Sequence, residues 1–229
     1  MSHQRNLVRI KGVYNALGEL RDTVAFVGGA TVSLYTDRPD QADVRPTDDI
    51  DVLIEIGTYI EYTKIQARLS ELNFHPDQES KVICRYKYQG LIVDIMPTDE
   101  SVLGFSNKWY KEGFANLHRY RIDEITEVNI FSAPYFIASK IEAFKGRGHN
   151  DGRFSQDFED IVFVLDNRKN IWDEFKATSN DLSSYLKVEF STLLNNPNFD
   201  EWLSAHMEYA TATARANMII KSMRDFVDY

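Results

Sequence analysis

The spacing of apolar residues changes along the chain, and this change predicts where helices and strands alternate. Apolar residues near the N-terminus recur at helical spacing and predict an amphipathic helix: Leu7, Ile10, Val13, Tyr14, Leu17 and Leu20. Short apolar or alternating runs predict strands at residues 24–27, 50–56, 82–88, 91–96, 119–122 and 127–131. Gln89 and Gly90 lie between two of these runs and predict a two-residue hairpin turn.

Helical spacing dominates the second half of the chain, where Ser132 and Pro134 are typical of a helix N-cap and first turn. Helices are predicted in the second half at residues 135–144, 155–165, 181–194 and 201–227. In the first half they are predicted at residues 30–35, 60–72 and 108–110. A polar loop rich in glycine is predicted between two of the second-half helices, at residues 146–152. We therefore predict an α+β fold, with an α/β part at residues 1–131 and a helical part at residues 132–229.

Composition narrows the class of protein. With 43% hydrophobic residues in 229, the chain can bury a sizeable core. It contains no apolar run near the roughly 20 residues that cross a bilayer, and residues 1–5 lack the apolar core of a signal peptide. A single cysteine, Cys84, excludes an internal disulfide framework. We predict a cytoplasmic protein with no membrane partner.

The net charge of the chain indicates which kinds of partner it can bind. The formal net charge of −9 counts against sequence-independent binding of nucleic acid, because such binding depends on Lys and Arg neutralising phosphates. It does not exclude a polynucleotide, since basic side chains can cluster and a metal can mask acids.

Two features at the start of the chain carry candidate chemistry. Gly28 and Gly29 follow the first predicted strand, where backbone without side chains can approach a phosphate closely. Asp49 and Asp51 stand two residues apart on the next predicted strand and therefore project from the same face. Two neighbouring carboxylates repel each other unless a cation lies between them, and Mg²⁺ prefers oxygen ligands.

Asp94 interrupts an otherwise apolar strand, at residues 91–96. A buried charge is costly unless it is paired or bound to metal. Two interpretations stay open: an edge strand on which Asp94 faces water, and a third carboxylate beside Asp49 and Asp51.

The order of these residues resembles the signature of the polymerase-β-like nucleotidyltransferases, and it is most similar to the AbiEii/AbiGii/MenT toxin branch. The matching residues are Gly28, Gly29, Arg45, Thr47, Asp49, Ile50 and Asp51. The linker between the glycines and the carboxylates is longer than is usual in that family. The resemblance implies a nucleotidyltransferase core with a mixed sheet, followed by a helical part that completes the nucleotide site.

The same resemblance implies an enzyme that uses Mg²⁺, with two ions bound and Mn²⁺ as an alternative. It would move a nucleoside monophosphate from an NTP to an acceptor hydroxyl, with Asp49, Asp51 and Asp94 as catalytic and metal-binding residues. Gly28, Gly29, Arg45 and Thr47 would bind the nucleotide or orient Asp49. The acceptor would be RNA, notably a tRNA 3′ end, and a cognate antitoxin would be a partner.

Further along, the resemblance assigns a phosphate-binding role to Lys140, which lies on the predicted helix after Pro134. The pattern alone also allows a lysine that snorkels beside an apolar face. Asp157 and Asp160 match an Asp-x-x-Asp helix of the family and share a helix face, so they can orient Lys140, Arg147 or a ligand. Arg147 is predicted in the glycine loop, closing over the nucleotide.

Two other functions stay open at this point. One is a small-molecule adenylyltransferase of the aminoglycoside or lincosamide type, which the acidic charge suits equally well. The other is a nucleotide-binding module without catalysis, and the three retained acids count against it. The histidines show no metal-ligand spacing, and the sequence contains no P-loop and no nucleophile elbow.

Overall fold

The computed structural model describes residues 2–38, 44–149 and 151–229, and within them the chain forms the predicted α+β fold. It divides into two compact units. The sheet unit comprises Met1–Leu34 and Pro39–Ser132, and the helical unit comprises Tyr35–Arg38 and Ala133–Tyr229. The helical unit thus begins one residue after Ser132 and also takes in a short segment from the first half of the chain.

A seven-stranded mixed sheet organises the sheet unit. Its strands are β1 (Val24–Val27), β2 (Asp49–Ile54), β3 (His75–Pro76), β4 (Arg85–Tyr88), β5 (Leu91–Pro97), β6 (Leu117–Arg121) and β7 (Glu127–Phe131). Their order in the sheet is β3-β4-β5-β2-β1-β7-β6. β2 pairs parallel with β5 and antiparallel with β1, so it lies in the interior of the sheet.

The predicted hairpin between β4 and β5 is confirmed. Gln89 and Gly90 form its turn with φ values of 46° and 81°, and two successive positive φ values are typical of a type I′ turn. β4 is shorter than the predicted run at 82–88, because the amide of Arg85 donates to the carbonyl of Val82 in a turn that precedes the strand.

The sheet unit also contains helices α1 (Ser2–Ala16), α2 (Tyr59–Glu71), α3 (Glu100–Leu103) and α4 (Tyr110–Ala115). α1 begins and ends earlier than its apolar spacing predicts, and it is followed by Gly18 at a φ of 56° and a 3₁₀ segment, Gly18–Thr23. α2 begins at a capping box, in which Thr58 and Glu61 satisfy each other's backbone amides. The predicted helix at 30–35 is a 3₁₀ segment, Gly29–Tyr35.

The helical unit contains α5 (Ala133–Arg147), α6 (Gln156–Asn167), α7 (Ile171–Lys176), α8 (Asn180–Leu194), α9 (Phe199–Ala205) and α10 (Ala212–Val227). Four aromatic rings in this unit pack against one another: Trp172, Phe175, Phe190 and Phe226. Among the described helices of the chain, none is both long and apolar enough to cross a membrane.

The prediction of one helix at 201–227 is wrong, because α9 and α10 are separate. The buried residues of α9 end at Leu203 and those of α10 begin at Ala212. The residues between them have no buried apolar side chain, so a continuous helix there would gain nothing from packing. The chain turns instead, and His206 Nε2 lies 2.7 Å from the carbonyl oxygen of Gly152.

Candidate active site

One transverse row of the sheet brings the candidate chemistry together. Asp51 on β2 is in register with Asp94 on β5, and Asp94 is in register with Arg85 on β4. Residues directly opposite each other on neighbouring strands project from the same face. Asp49, two residues before Asp51, shares that face, while Ile50 points the other way and is fully buried.

The three carboxylates form a compact cluster. One oxygen each from Asp49, Asp51 and Asp94 lies within 4.8 Å of the other two. Asp49 and Asp51 are half-buried and Asp94 is buried. Of the two open interpretations of Asp94, the water-facing edge strand is therefore wrong: β5 lies between β4 and β2 in the sheet.

Gly28 makes room for this cluster. Its φ is 72°, in the left-handed region that disfavours residues with a side chain. A Cβ atom built on Gly28 would lie 1.8 Å from Oδ2 of Asp51, far inside any contact distance. The glycine is thus required by its backbone conformation and by the approach of a carboxylate.

The side chain of Arg45 lies against Gly29. A Cβ atom on Gly29 would lie 2.8 Å from Nη2 of Arg45, so the guanidinium rests against the glycine turn. Gly29 begins a 3₁₀ segment of seven residues rather than the helix predicted at residues 30–35. The turn therefore places the guanidinium of Arg45 beside backbone that has no side chains, and this arrangement suits the binding of an anion.

Thr47 and Arg9 hold the segment that leads into β2. The hydroxyl of Thr47 donates to Oδ1 of Asp49 at 3.0 Å, which orients that carboxylate. The guanidinium of Arg9, on α1, donates to the carbonyls of Thr47 and Asp48. Sequence reasoning missed Arg9, because a helix residue 38 positions away carries no local signal of this contact.

Arg85 is the second residue that sequence reasoning missed. Its Nε donates to Oδ1 of Asp94 at 2.8 Å, and its Nη2 donates to Oδ2 of Asp94 at 2.8 Å and to Oδ2 of Asp49 at 3.0 Å. These bonds, Asp94 foremost, raise the pKa of Arg85 above its ordinary value, so it is always charged. The predicted hairpin contained the information needed to find Arg85. A two-residue turn at 89–90 pairs residue 88 with residue 91, and therefore residue 85 with residue 94.

Cys84, next to Arg85, is excluded as a nucleophile. Burial, reinforced by the charges of Asp94 and Asp51, raises the pKa of its thiol to about 12. The thiolate form that attacks substrates is therefore absent near neutral pH.

A second charged cluster lies in the helical unit. Nζ of Lys140, on α5, is 3.1 Å from Oδ1 of Asp157 and 2.6 Å from Oδ2 of Asp160, both on α6. All three side chains are at most 7% exposed. Arg147, the last residue of α5 rather than a loop residue, donates to Asp157 at 2.7 and 2.9 Å.

In this cluster the attraction between opposite charges outweighs the cost of burying them. Burial disfavours charge on Lys140, but Asp160 and Asp157 more than compensate and raise its pKa above the ordinary value. Burial likewise disfavours charge on Asp157, but Arg147 and Lys140 lower its pKa below the ordinary value. Lys140 and Asp157 are thus both ionised at neutral pH. The cluster binds α5 to α6, and a role of Lys140 in holding phosphate stays a prediction.

The predicted site residues therefore fall into two groups. Those of the sheet unit surround the carboxylate cluster: Gly28, Gly29, Arg45, Thr47, Asp49, Asp51 and Asp94. Lys140, Arg147 and Asp157 form their own ion-paired cluster in the helical unit.

Comparison of the chain with models of known protein families gave no match, and comparison with curated protein sequences gave none. The case for a function therefore rests on the resemblance of the motif and on the geometry of the site.

Proposed function

We propose that the chain is a metal-dependent nucleotidyltransferase that moves a nucleoside monophosphate from an NTP to an acceptor hydroxyl, with pyrophosphate as the leaving group. The observation that carries this proposal is the carboxylate cluster. Three acids from two parallel strands lie within 4.8 Å of one another, beside a glycine turn with an arginine against it.

The donor set suits Mg²⁺ or Mn²⁺. Asp49, Asp51 and Asp94 offer carboxylate oxygens, the ligands that these hard cations prefer. Asp49 retains a side-chain exposure of 35%, which leaves access from solvent. When bound to such carboxylates, a divalent cation polarises phosphoryl oxygens and offsets the charge that develops on the leaving group.

The other residues of the sheet unit have distinct tasks in this proposal. Thr47 holds Asp49 in one rotamer, and Arg9 fixes the backbone that carries both. Gly28 allows Asp51 to approach the turn, and Arg45 supplies positive charge at Gly29 for the phosphates of the NTP.

The acceptor is proposed from the resemblance alone: an RNA 3′ end, as in the AbiEii-like toxins, with a cognate antitoxin as partner. A small hydroxylated molecule is the alternative within the same chemistry, and the net charge of −9 suits it equally well.

The test is transfer of label. The purified protein is incubated with Mg²⁺, each of the four α-labelled NTPs in turn, and either total RNA or a panel of aminoglycosides and lincosamides. We expect label to enter one acceptor class with Asp51 intact and to be lost in Asp51→Asn. Asp48→Asn is the matched control, because Asp48 is exposed and lies outside the cluster.

Transfer by Asp51→Asn at the wild-type rate would show that the carboxylate cluster has no part in the mechanism. Absence of transfer from every NTP to every acceptor class, in protein shown to be folded, would count against the enzyme itself.

A further inference from the structure

Arg85 occupies the carboxylate cluster. Its guanidinium donates three hydrogen bonds to two of the three acids, at 2.8 to 3.0 Å. Both oxygens of Asp94 and one oxygen of Asp49 accept from it. One positive charge is thus set among three carboxylates, and it offsets part of their mutual repulsion.

This position follows from strand register. Arg85 is the first residue of β4 and lies directly opposite Asp94, so its side chain must emerge on the face that carries the acids. The side chain of Asp94 is only 9% exposed, and both of its carboxylate oxygens accept hydrogen bonds from Arg85.

A metal ion would compete with this arrangement. A divalent cation held by Asp49 and Asp94 draws on the same carboxylates that accept from Arg85. Its two charges would also repel the guanidinium, and at about 4 Å this repulsion is substantial even in water. A side chain that is 22% exposed has a route to solvent, so Arg85 can swing away.

We propose that Arg85 is an internal counter-ion that occupies the cluster in the absence of metal and that a divalent cation displaces from Asp49 and Asp94. Displacement leaves a guanidinium at the rim of the site, where its planar fork suits a phosphate oxygen pair. The position of Arg85 stands on the geometry of the cluster, whereas its displacement by a metal ion and its contact with phosphate rest on the proposed function.

The opposite arrangement makes an opposite prediction. If Arg85 were a fixed brace that holds the acids in place for the metal, removing it would scatter them and weaken metal binding. If it is a competitor, removing it strengthens binding. The sign of the change in affinity therefore decides between the two.

The experiment is a calorimetric titration with Mn²⁺ alone, without nucleotide, on the full chain. We expect Arg85→Met to bind Mn²⁺ at least about tenfold more tightly than wild type, because a repelling charge has gone. Arg85→Lys keeps the charge and should stay within about threefold of wild type. Lys87→Met is the matched control for net charge: it lies two residues along the same strand but pairs with Asp77 and Glu79.

Unchanged or weaker binding by Arg85→Met would overturn the proposal while leaving the metal centre intact, provided that wild type binds Mn²⁺ and Asp51→Asn does not. Absence of Mn²⁺ binding by both wild type and Arg85→Met would overturn it together with the proposed metal-dependent function.

A second measurement tests the displacement in the wild-type protein, so it can be made even if Arg85→Met does not fold. In ¹⁵N-labelled wild-type protein, the Nε–H of Arg85 should exchange slowly without metal, since it donates to Asp94. Titration with Mg²⁺ should shift this resonance and speed its exchange by at least about tenfold as the hydrogen bond is lost. Saturation with Mg²⁺ that leaves the Nε–H of Arg85 protected would overturn the displacement.

Discussion

Replacement of Gly28 by alanine tests the packing of the site most directly. The backbone of Gly28 has a φ of 72°, and its missing side chain is the space into which the Asp51 carboxylate projects. Gly28→Ala should therefore strain the backbone and push Asp51 out of the cluster. We expect lower stability of the sheet unit and loss of metal binding together.

The magnitude has two parts. A left-handed conformation costs a residue with a side chain about 1–2 kcal/mol relative to glycine. The new Cβ would also lie 1.8 Å from Oδ2 and 2.6 Å from Cγ of Asp51, an overlap that Asp51 can relieve only by rotating away or by a backbone shift. Such overpacking costs about 1–3 kcal/mol. The free energy of unfolding should thus fall by about 2–5 kcal/mol in total.

Two comparisons separate these parts. Gly90 has a φ of 81° and no described atom within 4 Å of its built Cβ, so Gly90→Ala carries the backbone strain alone. In an Asp51→Ala background the carboxylate atoms at 1.8 and 2.6 Å are gone and only the Cβ of residue 51, at 2.9 Å, still lies too close. Gly28→Ala should then cost only slightly more than Gly90→Ala. The expected coupling between positions 28 and 51 is about 1–3 kcal/mol.

Stability is best read by hydrogen exchange of the β1 and β2 amides under native conditions, because the chain has two units and need not unfold in one step. Mn²⁺ titration tests the proposed metal site in the same samples. If Gly28→Ala costs no more than Gly90→Ala, and Asp51→Ala changes neither value, the close contact of Gly28 with Asp51 is refuted.

Three further predictions concern charges and orientation. Lys140→Met removes the positive charge that pairs with two buried acids, Asp157 and Asp160, and should destabilise the helical unit by about 3–5 kcal/mol, whereas Lys145→Met, exposed on the same helix, should cost at most about 1 kcal/mol in urea unfolding. Because the pKa of Lys140 is raised and that of Asp157 is lowered, their contribution should be constant from about pH 5 to 9. It should begin to fall above about pH 10.4, the ordinary pKa of lysine, and be lost as the pH rises through the higher pKa of Lys140 in the folded chain. It should likewise begin to fall below about pH 3.9, the ordinary pKa of aspartate, and be lost as the pH falls through the lower pKa of Asp157. A decline between about pH 6 and 9 in the stability difference between wild type and Lys140→Met would contradict this. Thr47→Val removes the hydroxyl that orients Asp49 and should weaken Mn²⁺ binding about three- to tenfold at nearly unchanged stability, so unaltered affinity would show that the Thr47 bond has no positioning role.

Much of the sheet unit could be predicted because its signals are local. Alternation and apolar runs predicted β1, β7 and the Asp49–Asp51 strand, and the Gln89–Gly90 dipeptide predicted a hairpin that forms. Very short elements were missed, as with β3, α3 and α7, which have two, four and six residues. They exist because neighbouring elements hold them, and a short stretch of sequence does not contain that information.

The candidate site shows the same division. Local sequence determined that Asp49 and Asp51 share a face, since that follows from the two-residue period of any strand. Only the tertiary structure placed Asp94 opposite Asp51, because parallel strands pair through a long crossover that no short-range pattern specifies. Arg85 came with that register, through the hairpin that carries it next to Asp94.

By itself, then, the sequence determined which residues are able to carry the chemistry and which short elements hold them, because backbone geometry and side-chain alternation act over a few residues. The packed sheet alone decided that three carboxylates, a glycine turn and a guanidinium meet at one row of strands. Charge compensation among them depends on distances of about 3 Å between side chains far apart in the chain. Such distances are set by strand register and burial, which are properties of the whole sheet.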